Sequence, residues 1–155
     1  METAIIFASI PLAYLLVVAV PLVVIDIQEK RLPNVLVLPA IGLELIMLPI
    51  ASALGNDWNR LGSALLVGLG VFILGFVGNI YGLMGMGDVK LVTAIAIGLA
   101  WFEGWFGFLV PILGVGLTAI VGMALILGGS RIQQIAAGPF ILGVFGVSVI
   151  VLAVM

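Results

Sequence analysis

Apolar runs of membrane-spanning length dominate this sequence. A bilayer core of about 30 Å takes roughly 20 helical residues. By that ruler the runs fall at about residues 4–25, 35–54, 61–80, 89–102, 106–128 and 139–155. Each is continuous rather than alternating, so they read as helices and not as the period-2 strands of a closed barrel. The expected fold is all-α: a polytopic membrane protein with about six transmembrane helices in a compact bundle, forming a single membrane-embedded domain over 1–155. The fourth run is short and stops at Glu103. It can begin inside the preceding loop, and counts of four or five spans stay open.

Composition agrees. At 65% hydrophobic and 8% charged, the chain has too little polar residue content to cover a small soluble globule. The first run has no basic residue before it and is longer than the apolar region of a signal peptide, so it is read as a true span. Five Lys and Arg against seven Asp and Glu supply no basic stripe, which excludes a nucleic-acid partner. Cysteine and histidine are both absent. Thiolate chemistry, a Ser-His-Asp triad and a His-based zinc site go with them, and no cofactor or metal is implied.

The basic residues set the orientation. Lys30, Arg31, Lys90 and Arg131 fall on one side of an alternating six-span path, and Arg60 alone falls on the other. The positive-inside rule then puts the 26–34, 81–90 and 129–138 loops in the cytoplasm and both termini outside it. A multi-pass place in a membrane that borders the cytoplasm is expected. Gly68, Gly70, Gly75 and Gly78 in the third run, Gly114, Gly116 and Gly122 in the fifth, and Gly143 and Gly146 in the sixth read as helix-packing positions. Pro11, Pro21, Pro39, Pro49 and Pro111 are expected to bend or open their helices. Trp58, Trp101 and Trp105 read as an interfacial belt.

Few ionisable groups remain, and each needs a reason. Asp26 ends the first span, where a carboxylate meets the wrong end of the helix dipole. It is either an ordinary surface charge or a functional group. Asp88 follows a glycine-rich stretch, and its structural reading is an N-cap for the fourth span. The two lie 62 positions apart yet at the same expected membrane face. Two carboxylates in one low-dielectric site share a proton. One then draws a proton from water while the other polarises the scissile carbonyl, which is aspartic-protease chemistry. The spacing permits the pair without demonstrating it. Glu44 sits in mid-span, about 15 Å along the helix from Asn34. It should be protonated, paired or facing a cavity, and a hydrogen bond to a neighbouring helix is the plain account. It lies too deep to join Asp26 and Asp88.

The segment Asp26-Ile27-Gln28-Glu29-Lys30-Arg31-Leu32-Pro33-Asn34 resembles the first-aspartate segment of the type IV prepilin peptidases. Gly85-Met86-Gly87-Asp88-Val89-Lys90-Leu91 resembles their GxGD segment, with the lysine that follows it. The resemblance covers essentially the whole chain, which is similar to the small peptidases of tight-adherence (Flp) pilus systems. It implies a membrane aspartic endopeptidase that removes the short basic leader of a prepilin after a glycine, at the cytoplasmic face. Asp26 and Asp88 would be its catalytic carboxylates, and Gly85 and Gly87 would shape the loop presenting Asp88. Pro33 and Asn34 would fix the loop carrying Asp26, with Asn34 also placed to cap the second span. Lys90 and Arg31 are topology charges that can also tune the acids or meet the substrate. The partners implied are a prepilin with a hydrophobic N-terminal helix, the lipid bilayer and other pilus assembly proteins. Larger members that also N-methylate carry a cysteine-bearing insertion after the first span. This chain has no cysteine and no room for one, so no separate methyltransferase domain is expected.

Two other classes fit the same residues. A small proton- or cation-coupled transporter would also use paired carboxylates, but near the midplane. A non-catalytic pilus assembly protein would keep assembly contacts when the carboxylates become amides.

Overall fold

The computed structural model describes residues 2–29, 32–82, 84–127 and 137–154. Within them the chain is all-α. The helices are α1 Glu2–Glu29, α2 Asn34–Gly55, α3 Trp58–Ile80, α4 Met86–Glu103, α5 Leu109–Leu127 and α6 Gly138–Val154, and a 3-10 turn at Gly104–Phe108 joins α4 to α5. Three of them, α1, α2 and α3, are long and apolar enough to cross a membrane. The protein is thus membrane-located. α5 and α6 are apolar but shorter as spanning segments.

α4 is the centre of the bundle. Residues 91–100 are buried without a break, and α4 packs against each of the other five helices. Its enclosure comes from this central place among the other helices and not from its apolarity, since α5 and α6 are more apolar and more exposed. It starts at Met86, inside the glycine-rich loop, as the short apolar run allowed. α1 packs mainly on α2, and α6 on α5 and α1.

Several expectations change on contact with the structure. Pro11 and Pro21 do not open α1, nor Pro39 and Pro49 α2, since each helix runs through them without a break. Trp101 is buried and donates its Nε1–H to Ser52 Oγ at 2.9 Å. It is a core residue, because a buried indole needs a partner for its N–H, and not part of a belt; Trp58 and Trp105 are exposed. Among the glycines read as packing positions, Gly68, Gly75 and Gly114 do lie at close helix contacts. Gly70, Gly116, Gly143 and Gly146 face open space. Gly122 falls outside the residues whose side-chain surroundings are described, and Lys30, Arg31 and Arg131 fall outside the described residues altogether.

Candidate active site

α1 continues one turn past its apolar run, to Glu29. Asp26 therefore lies inside the helix and is 4% exposed. Its Oδ2 accepts the backbone N–H of Gly138 at 2.8 Å. Gly138 opens α6, and the first N–H groups of a helix have no partner within it. Asp26 supplies that partner. The approach is close. A Cβ on Gly138 would come 2.7 Å from Asp26 Oδ2.

Asp88 is not the N-cap of α4. Gly85 takes that place, with extended φ −71° and ψ 147°. Asp88 is the third helical residue, and its carboxyl accepts a backbone hydrogen bond from Gly85. This is the return half of a capping box, an acid at the third position reaching back to the cap's N–H. Asp88 Oδ1 is buried and has no hydrogen-bond partner among the described residues. Asp88 stands ahead of the apolar stretch of α4. Its carboxyl is pushed up to about 6, first by burial and then by the negative charge of Asp26, with the Gly85 bond opposing both. The two aspartates, far apart in sequence, are thus electrostatic neighbours.

Two further contacts tie the motifs together. Leu32 is buried against Gly87, where a Cβ would come 2.9 Å from the Leu32 Cβ and 3.2 Å from its carbonyl oxygen. Only glycine lets the loop after α1 lie this close to the first turn of α4. Beside it, Lys90 Nζ donates to Asn34 Oδ1 at 2.9 Å. Asn34 was expected to cap α2. The cap is Pro33, without a side-chain bond, and Asn34 is the first helical residue. Its side chain turns to Lys90 instead, so Lys90 is a tie between the two segments as well as a surface charge. Arg31 lies outside the described residues.

Sequence reasoning passed over two residues. Gly138 stands before Pro139 at the start of an apolar run, a helix-start pattern whose free N–H groups call for an acceptor. Asn79 near the end of α3 donates its Nδ2–H to the Met84 carbonyl at 2.8 Å and so holds the loop leading into Gly85. A polar amide at the end of a long apolar run was the available signal.

Glu44 is separate. It is 1% exposed, and neither carboxyl oxygen has a hydrogen-bond partner among the described residues. The contact it does make with a neighbouring helix is to the Gly98 backbone of α4, short of full hydrogen-bond geometry. Its Oε1 lies against Gly98 of α4, ten residues and about 15 Å along that helix from Asp88. Among the described residues no three Asp, Glu, His or Cys side chains gather as a metal-binding set.

A buried carboxylate held by a helix N-terminus beside a second, proton-retaining carboxyl can activate water and protonate a carbonyl. Comparison with curated proteins and with solved structures finds no match. The type IV leader peptidase family matches residues 12–155, which include both aspartate segments. The chain belongs to that family, as a membrane aspartic-type peptidase of prepilin leaders.

Proposed function

We propose that Asp26 and Asp88 are the catalytic pair of this peptidase. Its substrate would be an Flp-type prepilin whose short basic leader is cut after a glycine, at the cytoplasmic face of the inner membrane. One observation carries the reading: the two aspartate segments meet, with Leu32 packed on Gly87 and Lys90 bonded to Asn34, so that Asp26 and Asp88 come together across 62 positions of sequence. Lys90, beside the second aspartate, supports the cytoplasmic orientation under the positive-inside rule. All six helices would cross the bilayer as one domain, with no methyltransferase module. Other pilus assembly proteins would act on the processed product.

In this scheme the Asp26 carboxylate takes a proton from water as the water oxygen attacks the scissile carbonyl carbon. Protonated Asp88 donates its proton to the carbonyl oxygen. The tetrahedral intermediate collapses as Asp26 gives its proton to the amide nitrogen, the C–N bond breaks and one hydroxyl of the intermediate returns its proton to Asp88, so that acid and amine leave and the pair again holds one proton. Gly85 and Gly87 hold the turn that presents Asp88, while Pro33, Asn34 and Lys90 fix the loop after Asp26.

Leader cleavage of a co-expressed Flp-type prepilin in membranes tests the pair. Asp26→Asn and Asp88→Asn are each expected to lower cleavage by at least about 100-fold, the scale of a lost acid or base, at unchanged protein level. Retained cleavage in either variant would remove that residue from the mechanism. Both acids at one end of the bundle, and not midway along it, is what favours this reading over a proton-coupled transporter.

A further inference from the structure

α3 and α5 both pack on α4 but scarcely touch one another. The gap between them is a groove of about 370 Å³, lined entirely by apolar residues and glycines. It begins at Met84, the residue before Gly85, and continues past Gly78 and Val92 to Phe108 and Pro111. Val92 lies one helical turn after Asp88 and on the same face of α4. From Gly78 to Val71 the groove follows two turns of α3, about 10 Å. It thus starts about one helical turn from the acid and runs away from it along the bundle.

We infer that this groove seats the apolar transmembrane segment of the substrate, immediately beyond the bond presented to Asp88. The inference rests on the proposed catalytic role of that residue. A polar occupant would lose its hydrogen bonds to water and find none here. A volume of about 370 Å³ is at the low end for pockets that take ligand-sized groups. It fits a few side chains of one helix face, with the rest of that helix left in lipid. Glycine on both walls, Gly78 on α3 and Gly116 on α5, lets a helix backbone come near, as small residues do between membrane helices. A lipid chain has the same polarity, but nothing would make it begin at Met84.

Gly116 gives a clean probe, because a Cβ there meets nothing within 4 Å. Gly116→Leu should fill the groove without disturbing the bundle. Gly146→Leu on α6, also in open space but away from the groove, is the control. Two substrates are compared: a membrane precursor with its apolar helix, and a soluble peptide with the same leader and scissile bond that ends a few residues later. Gly116→Leu is expected to lower kcat/KM for the precursor by about tenfold or more and leave the peptide unchanged, while Gly146→Leu alters neither. Equal loss on both substrates, or no loss on the precursor, overturns the inference. A photoreactive residue at Ile112, in an Asp88→Asn background, reads occupancy without turnover. Adducts to the precursor that Gly116→Leu abolishes support docking, and adducts to lipid alone overturn it. If Asp88→Asn still cleaves the precursor yet these adducts form, the catalytic reading of Asp88 fails while occupancy of the groove by the apolar segment stands.

Discussion

Asp57 and Asp88 each serve a helix start, at the heads of α3 and α4, and their surroundings differ. Asp57 is the N-cap of α3 and is fully answered. It accepts from the Arg60 backbone N–H at 3.4 Å and from Arg60 Nε at 3.0 Å, and the Arg60 guanidinium lies 5.1 Å above the Trp101 ring. Its side chain is also 41% exposed. Asp88 lies one turn into its helix, with one oxygen buried and unpartnered and a second acid beside it. A carboxylate in the first setting is a structural device, screened by water and neutralised by its partner. In the second, the local environment raises the acid's affinity for a proton, as chemistry near neutral pH requires. The two motifs differ less as helix starts than in whether the charge was left unpaired.

That contrast can be broken experimentally, beginning with the largest effect. Gly138→Ala would push a methyl group onto Asp26 Oδ2 and displace it. Cleavage should fall by about 100-fold, the usual effect of misplacing a reacting group by about 1 Å, and a normal rate would show that Asp26 has room to move. The pH profile comes next. With the Asp88 carboxyl at about 6, the acid holds its proton below that pH and loses it above. Cleavage that needs one shared proton should then fall about tenfold per pH unit above roughly 6. A profile flat from 5 to 8 would dissociate Asp88 from the rate. Stability follows the same sign. The folded state binds the proton more tightly than the unfolded chain, so stability declines as pH rises from about 4 to 6. Asp88→Asn should remove that decline.

Smaller effects separate the tie from the acids. Lys90→Ala and Asn34→Ala should each reduce cleavage by about tenfold or less, and the double variant should be no worse than either alone, since one bond joins them. Full additivity would mean the two act independently. Asp57→Ala is the least consequential. It should cost about 1 kcal/mol of stability, the typical loss of a helix cap, and leave cleavage unchanged. A large loss of activity there would end the distinction between the two ends of the bundle.

The pattern of apolar runs was enough to set an all-α membrane protein, because bilayer thickness and backbone hydrogen bonding admit little else. The two aspartates were legible for a related reason. In a chain with so few charges, a carboxylate beside an apolar helix needs a cause. Other assignments failed because they depended on neighbours. Trp101 read as a boundary residue until Ser52 came within reach, and Asn34 read as a cap until Lys90 lay beside it. Gly116 and Gly68 look alike in sequence, yet one faces a groove and the other lies against Ile97.

By itself the sequence determined the medium, the helical class and the short inventory of groups able to do chemistry. Those follow from local composition and from the energy of placing charges in or near lipid. Tertiary structure decided that α4 is the enclosed helix, that α6 delivers the Gly138 N–H to Asp26, and that a groove opens beside Met84. Each is set by which helix faces meet, and apolar side chains in lipid select their partners by shape and close packing, a property of surfaces brought together and not of any single run of residues.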